Sequence, residues 1–122
     1  MADTISICTY NVNGFNDTKV PYLQTVIDDH NIIFIQEHWL FDSQSHIFED
    51  TFSNISAYSV SGMDDGGLIA GRRYGGCAIL WQKSLLCSIT PVSINNRRVF
   101  AIVLKTNELS VLLCNVYNYA IR

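Results

Sequence analysis

Polar side chains with chemical potential sit where the strand-like segments of this chain end. "TISICTYNVNG" carries Asn11 and Asn13, "NIIFIQEHWL" carries Glu37, and "LSVLLCNVY" carries Asn115 and Tyr117. A carboxylate that closes an apolar run is either solvated at a sheet edge or held by a partner, because burying it unpaired is costly or forces it to take a proton. A metal ion is one such partner. Period-two alternation puts Ile5, Ile7, Thr9, Asn11 and Asn13 on one side of the first segment. It groups Ile33, Ile35 and Glu37 in the second, and Val111, Leu113, Asn115 and Tyr117 in the last. Each segment is apolar early and polar at its carboxyl end, the end at which open α/β sheets bind ligands. The strands can therefore deliver Asn11, Asn13, Glu37, Asn115 and Tyr117 to one edge, provided the antiparallel connections do not turn the last of them away.

The chemistry open to such a set is narrow. A glutamate is a hard oxygen ligand suited to Mg²⁺, which takes one or two protein carboxylates and keeps several waters. Asparagine holds a phosphate oxygen or orients a ligand without adding charge. A tyrosine hydroxyl donates to a phosphate oxygen as charge builds on it. No serine or cysteine stands in a nucleophile elbow, so metal-assisted attack of water on a phosphate ester fits better than covalent catalysis. Each residue also has a plainer reading. A strand-end glutamate is ordinarily solvated, Asn11 and Asn13 with Gly14 form a turn-making cluster, and Tyr117 is amphipathic core. His38, which alternates away from Glu37, reads as structural. Arg72, Arg73, Arg97 and Arg98 read as exposed arginines that could also contact phosphates.

The elements that must position these groups follow from periodicity. Residues 4–12 alternate and read as a strand. From Lys19 to His30 the apolar residues Val20, Leu23, Val26 and Ile27 recur at helical spacing, with Pro21 tolerated in the first turn. Residues 32–35 read as a second strand, so the chain opens with a βαβ unit whose strands are parallel and near neighbours. Residues 41–53 read as loop with a short helix around His46–Phe52, and residues 55–62 as a further strand. A Gly-rich loop spans 62–76, with Gly75-Gly76 serving backbone geometry. Strands follow at 77–82, 86–94, 98–105 and 109–117, turning at Asn95-Asn96 and at 106–108. "VFAIVL" and "LSVLLCNV" are nearly continuous apolar runs, which implies strands covered on both faces. The expected class is α/β: one βαβ unit, then an antiparallel meander in a mixed sheet, with helices on one side and room for a second sheet.

With 122 residues, 48% of them hydrophobic, the chain has the length for one domain with a real core and is not of disordered composition. It contains no run long enough to cross a membrane as a helix and no secretory leader pattern. Cys8, Cys77, Cys87 and Cys114 occur singly, without a C-x-x-C pair, and read as reduced core thiols of a cytoplasmic or nuclear protein rather than zinc ligands. A net charge of −3 with only 8 Lys plus Arg excludes a polycation that coats nucleic acid, so any meeting with DNA or RNA requires a local site.

"TYNVNGF", "IIFIQEHWL", "GRRYGGCAILW" and "LLCNVY" occur in that order at sensible spacing. This combination resembles the endonuclease/exonuclease/phosphatase superfamily, and within it most resembles the apurinic-type endonuclease domain of non-LTR (LINE-like) retrotransposons. The resemblance implies a four-layered, DNase-like α/β sandwich, of which residues 1–122 match roughly the first half. It implies Mg²⁺, or Mn²⁺, as cofactor and DNA as substrate of the intact domain. It also implies that Glu37 in "QEHW" is the metal-binding glutamate. Asn11 in "TYNVNG" is then the asparagine close to metal and phosphate, with Asn13 beside it, and Tyr117 in "NVY" contacts the scissile phosphate.

The match has departures. The family continues from "NVY" through one residue to proline, whereas "NYAIR" follows here. The later "GDxN" motif and the terminal Asp-His motif are absent from residues 1–122, and His30, His38 and His46 do not stand in matching contexts. The chain is therefore expected to be an incomplete domain, inactive by itself, which self-associates through a sheet left uncovered. Two other readings stay open: a phosphatase or phospholipase of the same superfamily, and a non-catalytic remnant of a retroelement. "QEHWL" and "GRRYGG" favour the endonuclease type, and no polybasic patch or membrane helix supports work on lipids.

Overall fold

The computed structural model describes residues 4–63, 73–96 and 98–116. Strand β1 spans Ile7–Asn11 and is followed by a 3-10 turn, Asp17–Lys19, and helix α1, Val20–Asp29. The Asn16 side chain accepts from the Thr18 N–H at 2.9 Å and opens this helical stretch. Pro21 lies in the first turn of α1, where a missing N–H costs nothing. Leu23, Val26 and Ile27 form the buried face of α1, as their spacing requires. Strand β2 is Ile32–Gln36, helix α2 Ile47–Thr51 and strand β3 Ile55–Val60. Strands β4 (Cys77–Gln82), β5 (Ser88–Val92), β6 (Val99–Lys105) and β7 (Ser110–Val116) complete the order. No helix among the described residues is long and apolar enough to cross a membrane.

Two sheets result. The first has the order β1-β2-β4-β3, the second β5-β6-β7. β1 and β2 run parallel with Asn11 opposite Gln36, as a helical crossover dictates. The expected meander divides between the sheets. β4 inserts antiparallel between β2 and β3, and only β5 to β7 form a continuous up-and-down sheet. Burial explains the insertion. "CAILWQ" is apolar on both faces and takes an interior position, whereas "ISAYSV", with Ser56 and Ser59, suits an edge.

The layers are helices, first sheet, second sheet. Ile33, Ile35, Ala78 and Leu80 face Leu23, Ile27, Phe48 and Phe52 on the helical side. Ile32, Cys77 and Ile79 face Phe100, Ile102 and Leu104 between the sheets. There Tyr58 also stacks on Phe100 with ring centroids 4.5 Å apart. Two sequence expectations change. β7 is covered on one face only: Leu112, Cys114 and Val116 are exposed on its outer side. The thiols are unpaired as expected, but Cys114 is exposed rather than core. Cys77 is buried, and desolvation pushes its thiol up to about 11.

Candidate active site

The candidate site lies at the carboxyl ends of the parallel pair β1 and β2. Pairing persists beyond the strands: the Val12 N–H donates to the Gln36 carbonyl at 3.0 Å, Gly14 to Glu37 at 2.8 Å and Phe15 to His38 at 3.0 Å. Lys19 at the start of α1 donates its ammonium to the Val12 carbonyl at 2.6 Å and to the Asn13 carbonyl at 3.3 Å. The loop after β1 is thereby tied both to the loop after β2 and to the helix.

Asn11 and Glu37 meet. The Asn11 Nδ2 donates to Glu37 Oε2 at 2.6 Å, while its Oδ1 accepts the Asn13 N–H at 3.0 Å. These two bonds fix the orientation of the amide, since only the nitrogen end can donate to a carboxylate. Alternation alone groups Glu37 with Ile33 and Ile35, yet those two point into the helical core. The correction comes from the backbone: Glu37 has φ +56° and Trp39 φ +62°, so the chain leaves the strand in a left-handed turn and brings the carboxylate to Asn11. A non-glycine residue held there costs on the order of 1 kcal/mol. Asn13, also left-handed at φ +50°, is the turn residue of its loop, and its side chain is exposed.

Beneath this pair lies a polar link between the sheets that sequence reading placed only in outline. Asn115 of β7 is 1% exposed. Its Nδ2 donates to the Ile35 carbonyl at 3.0 Å and the Ala78 carbonyl at 3.1 Å, and its Oδ1 accepts Gln36 Nε2 at 2.8 Å. Gln36 Nε2 also donates to Thr9 Oγ1 at 2.7 Å. Asn115 thus reaches the same end of the molecule as Asn11 and Glu37, but it is consumed in holding β7 against β2 and β4. Tyr117 and Arg72 lie outside the described residues. Arg73 is exposed, with its guanidinium 4.7 Å from the Phe41 ring centroid and a bond to Gln44 Oε1 at 3.4 Å.

His38 has the structural character its position suggested. It is fully buried, and desolvation lowers its imidazole from 6.5 to about 4, against smaller opposing effects of the Cys77 and Val60 carbonyls and Asp42. The ring is neutral at physiological pH.

No group of three or more His, Cys, Asp or Glu that could hold a metal occurs among the described residues. One half-buried carboxylate flanked by neutral amides does fit a Mg²⁺ ion that keeps most of its water, and does not fit a dehydrated Zn²⁺ site. Glu37 would hold such an ion, with the Asn11 amide nitrogen keeping its carboxylate in place.

A profile of the endonuclease/exonuclease/phosphatase family matches residues 8–119. The chain belongs to this family. A search of curated proteins gave no match. Among solved structures, this family member is similar to AP endonuclease LMAP from Leishmania major, with TM-score 0.64 and 14% identity over 93% of this chain. It is also similar to the 3′ phosphatase NExo from Neisseria bound to a product DNA hairpin, with TM-score 0.52 and 18% identity over 89% of the chain. A further likeness is to the 3′-5′ exonuclease NExo from Neisseria meningitidis, with TM-score 0.50 and 17% identity over 88%. These likenesses establish the DNase-like fold. The chain spans 40% of the length of each of these proteins.

Proposed function

We propose that residues 1–122 form the first part of a divalent-metal-dependent phosphodiesterase domain of the DNA endonuclease type, most like that of non-LTR retrotransposons. The observation that carries this reading is the 2.6 Å bond between Asn11 and Glu37 at the carboxyl ends of two parallel strands. The nucleic-acid enzymes among the structural neighbours support DNA as the substrate class. In this reading Glu37 holds Mg²⁺ or Mn²⁺, and the bound ion polarises a phosphoryl oxygen. Asn11 keeps the carboxylate aimed, Asn13 borders the phosphate, and Tyr117 donates to it. Arg72 and Arg73 contact the DNA backbone.

The same reading assigns no group within residues 1–122 to orienting water or protonating the leaving oxygen. Groups of a catalytic unit act together, and losing members removes several orders of magnitude in rate. The purified chain is therefore expected to bind Mn²⁺ weakly and not to nick plasmid DNA. Addition of a second half carrying "GDxN" and Asp-His motifs is expected to restore nicking, and Glu37→Gln to abolish both metal binding and rescue. Efficient Mg²⁺-dependent nicking by the chain alone, or undiminished Mn²⁺ affinity in Glu37→Gln, overturns this reading.

A further inference from the structure

Glu37 and Trp39 both hold left-handed backbone without being glycine, so the turn that aims the carboxylate must be imposed from outside. The residue between them is the one buried polar anchor of that turn among residues 37–39. His38 Nδ1 accepts the Leu40 N–H at 2.9 Å. That bond makes Nδ1 the unprotonated nitrogen, so Nε2 carries the proton and donates to Ser59 Oγ at 3.0 Å. The ring leaves no slack on its other side: a Cβ built on Gly76 would stand 2.3 Å from His38 Cε1. The backbone is clamped as well. The His38 carbonyl accepts from Phe15, and the Trp39 N–H donates to the Gly75 carbonyl at 2.9 Å.

We infer that His38 is a positioning residue of the site: its Nδ1 bond to the Leu40 N–H closes the turn over Trp39 and thereby holds Glu37 against Asn11. It is not a catalytic residue, because its ring is buried on the helical side of the sheet and both of its nitrogens are bonded within the fold. The bond spans two residues, so it constrains the intervening backbone as an Asx turn does. Without it the Leu40 N–H loses its partner, and the left-handed turn loses its local support. The metal part of this inference rests on Glu37 being the metal carboxylate. The geometric part does not.

The two nitrogens can be separated by substitution. In His38→Asn, Oδ1 stands at the same bond separation as Nδ1 and retains the Leu40 bond. In His38→Gln, the amide reaches toward Ser59 but leaves the γ position without an acceptor. Two readouts are taken on the full chain. The first is the Asn11 side-chain amide resonance in metal-free protein, which reports its bond to Glu37. The second is the Mn²⁺ midpoint for paramagnetic broadening of that resonance. His38→Asn is expected to keep the wild-type amide shift and midpoint. His38→Gln is expected to lose the shift and to weaken the midpoint about tenfold, the usual scale for residues that orient a metal ligand. Ser59→Ala, which leaves the Nδ1 bond in place, is expected to behave as wild type in both. Wild-type readouts in His38→Gln, loss in His38→Asn, or loss in Ser59→Ala each overturn the inference. An amide shift kept in His38→Asn and Ser59→Ala but lost in His38→Gln, with no effect of Glu37→Gln on Mn²⁺, supports the positioning and overturns the metal assignment alone.

Discussion

Glu37 is aimed by a turn whose two neighbours are glycines for the same reason of space. Gly14, at φ +86°, would place a Cβ 2.3 Å from the Trp39 ring, and Gly76, at φ +96°, would place one 2.3 Å from the His38 ring. Both positions combine a backbone that L residues avoid with a contact no side chain tolerates. Gly76→Ala is expected to destabilise the chain by roughly 3 kcal/mol, measured by urea unfolding, since the ring it meets is bonded at both nitrogens and cannot retreat. His38 also makes stability depend on pH. Its folded value, lowered by desolvation to about 4, lies below the unfolded 6.5, so the unfolded chain binds the proton more readily between them. Stability from this residue is full above about pH 6.5, falls as pH drops toward 4, and changes no further below that. The total is about 3 kcal/mol, and Asp42 nearby tempers it. The denaturation midpoint should fall more between pH 7.5 and pH 5 in the native sequence than in His38→Asn.

At the scale of elements, the two sheets are joined not only by apolar contact but by one amide. Asn115 donates to carbonyls of two neighbouring strands and accepts from Gln36, so its own buried amide is bonded at both ends across the sheets. Asn115→Asp keeps the shape and removes both donors while setting a carboxylate against two carbonyl oxygens. A loss of about 3 kcal/mol or more is expected, with β7 detaching first, so amide hydrogen exchange in Ser110–Val116 should accelerate beyond that of β1. Equal acceleration in both strands would mean that the link is not what seats β7.

For the molecule as a whole, the outer side of β7 carries exposed apolar side chains among the described residues. Leu112 and Val116 are 59% and 62% exposed on it. β7 rests on β2 and β4, and Ile7 on β1, the edge strand of the first sheet, is 47% exposed. Association is therefore expected through this outer face, with apparent mass by light scattering rising with concentration. Leu112→Lys with Val116→Lys should return the chain to a monomer. Concentration-independent monomer in the native sequence would refute this.

What the sequence determined by itself is what short-range periodicity and chain connection encode. Alternation marked the strands, the spacing of Leu23, Val26 and Ile27 marked the buried face of α1, and the helical crossover made β1 and β2 parallel. Those rules placed Asn11 and Glu37 at the same sheet end. The tertiary structure decided what depends on partners far along the chain. β4 lies between β2 and β3 because burial on two faces, not chain order, assigns interior positions. The direction of the Glu37 carboxylate follows from one backbone angle that alternation cannot see, imposed by contacts with residues 14–15 and 75–76. The same holds for Asn115 and His38: their residue types announce hydrogen bonds, but the atoms that receive them, 80 and 21 residues away, are brought within reach only when the sheets close.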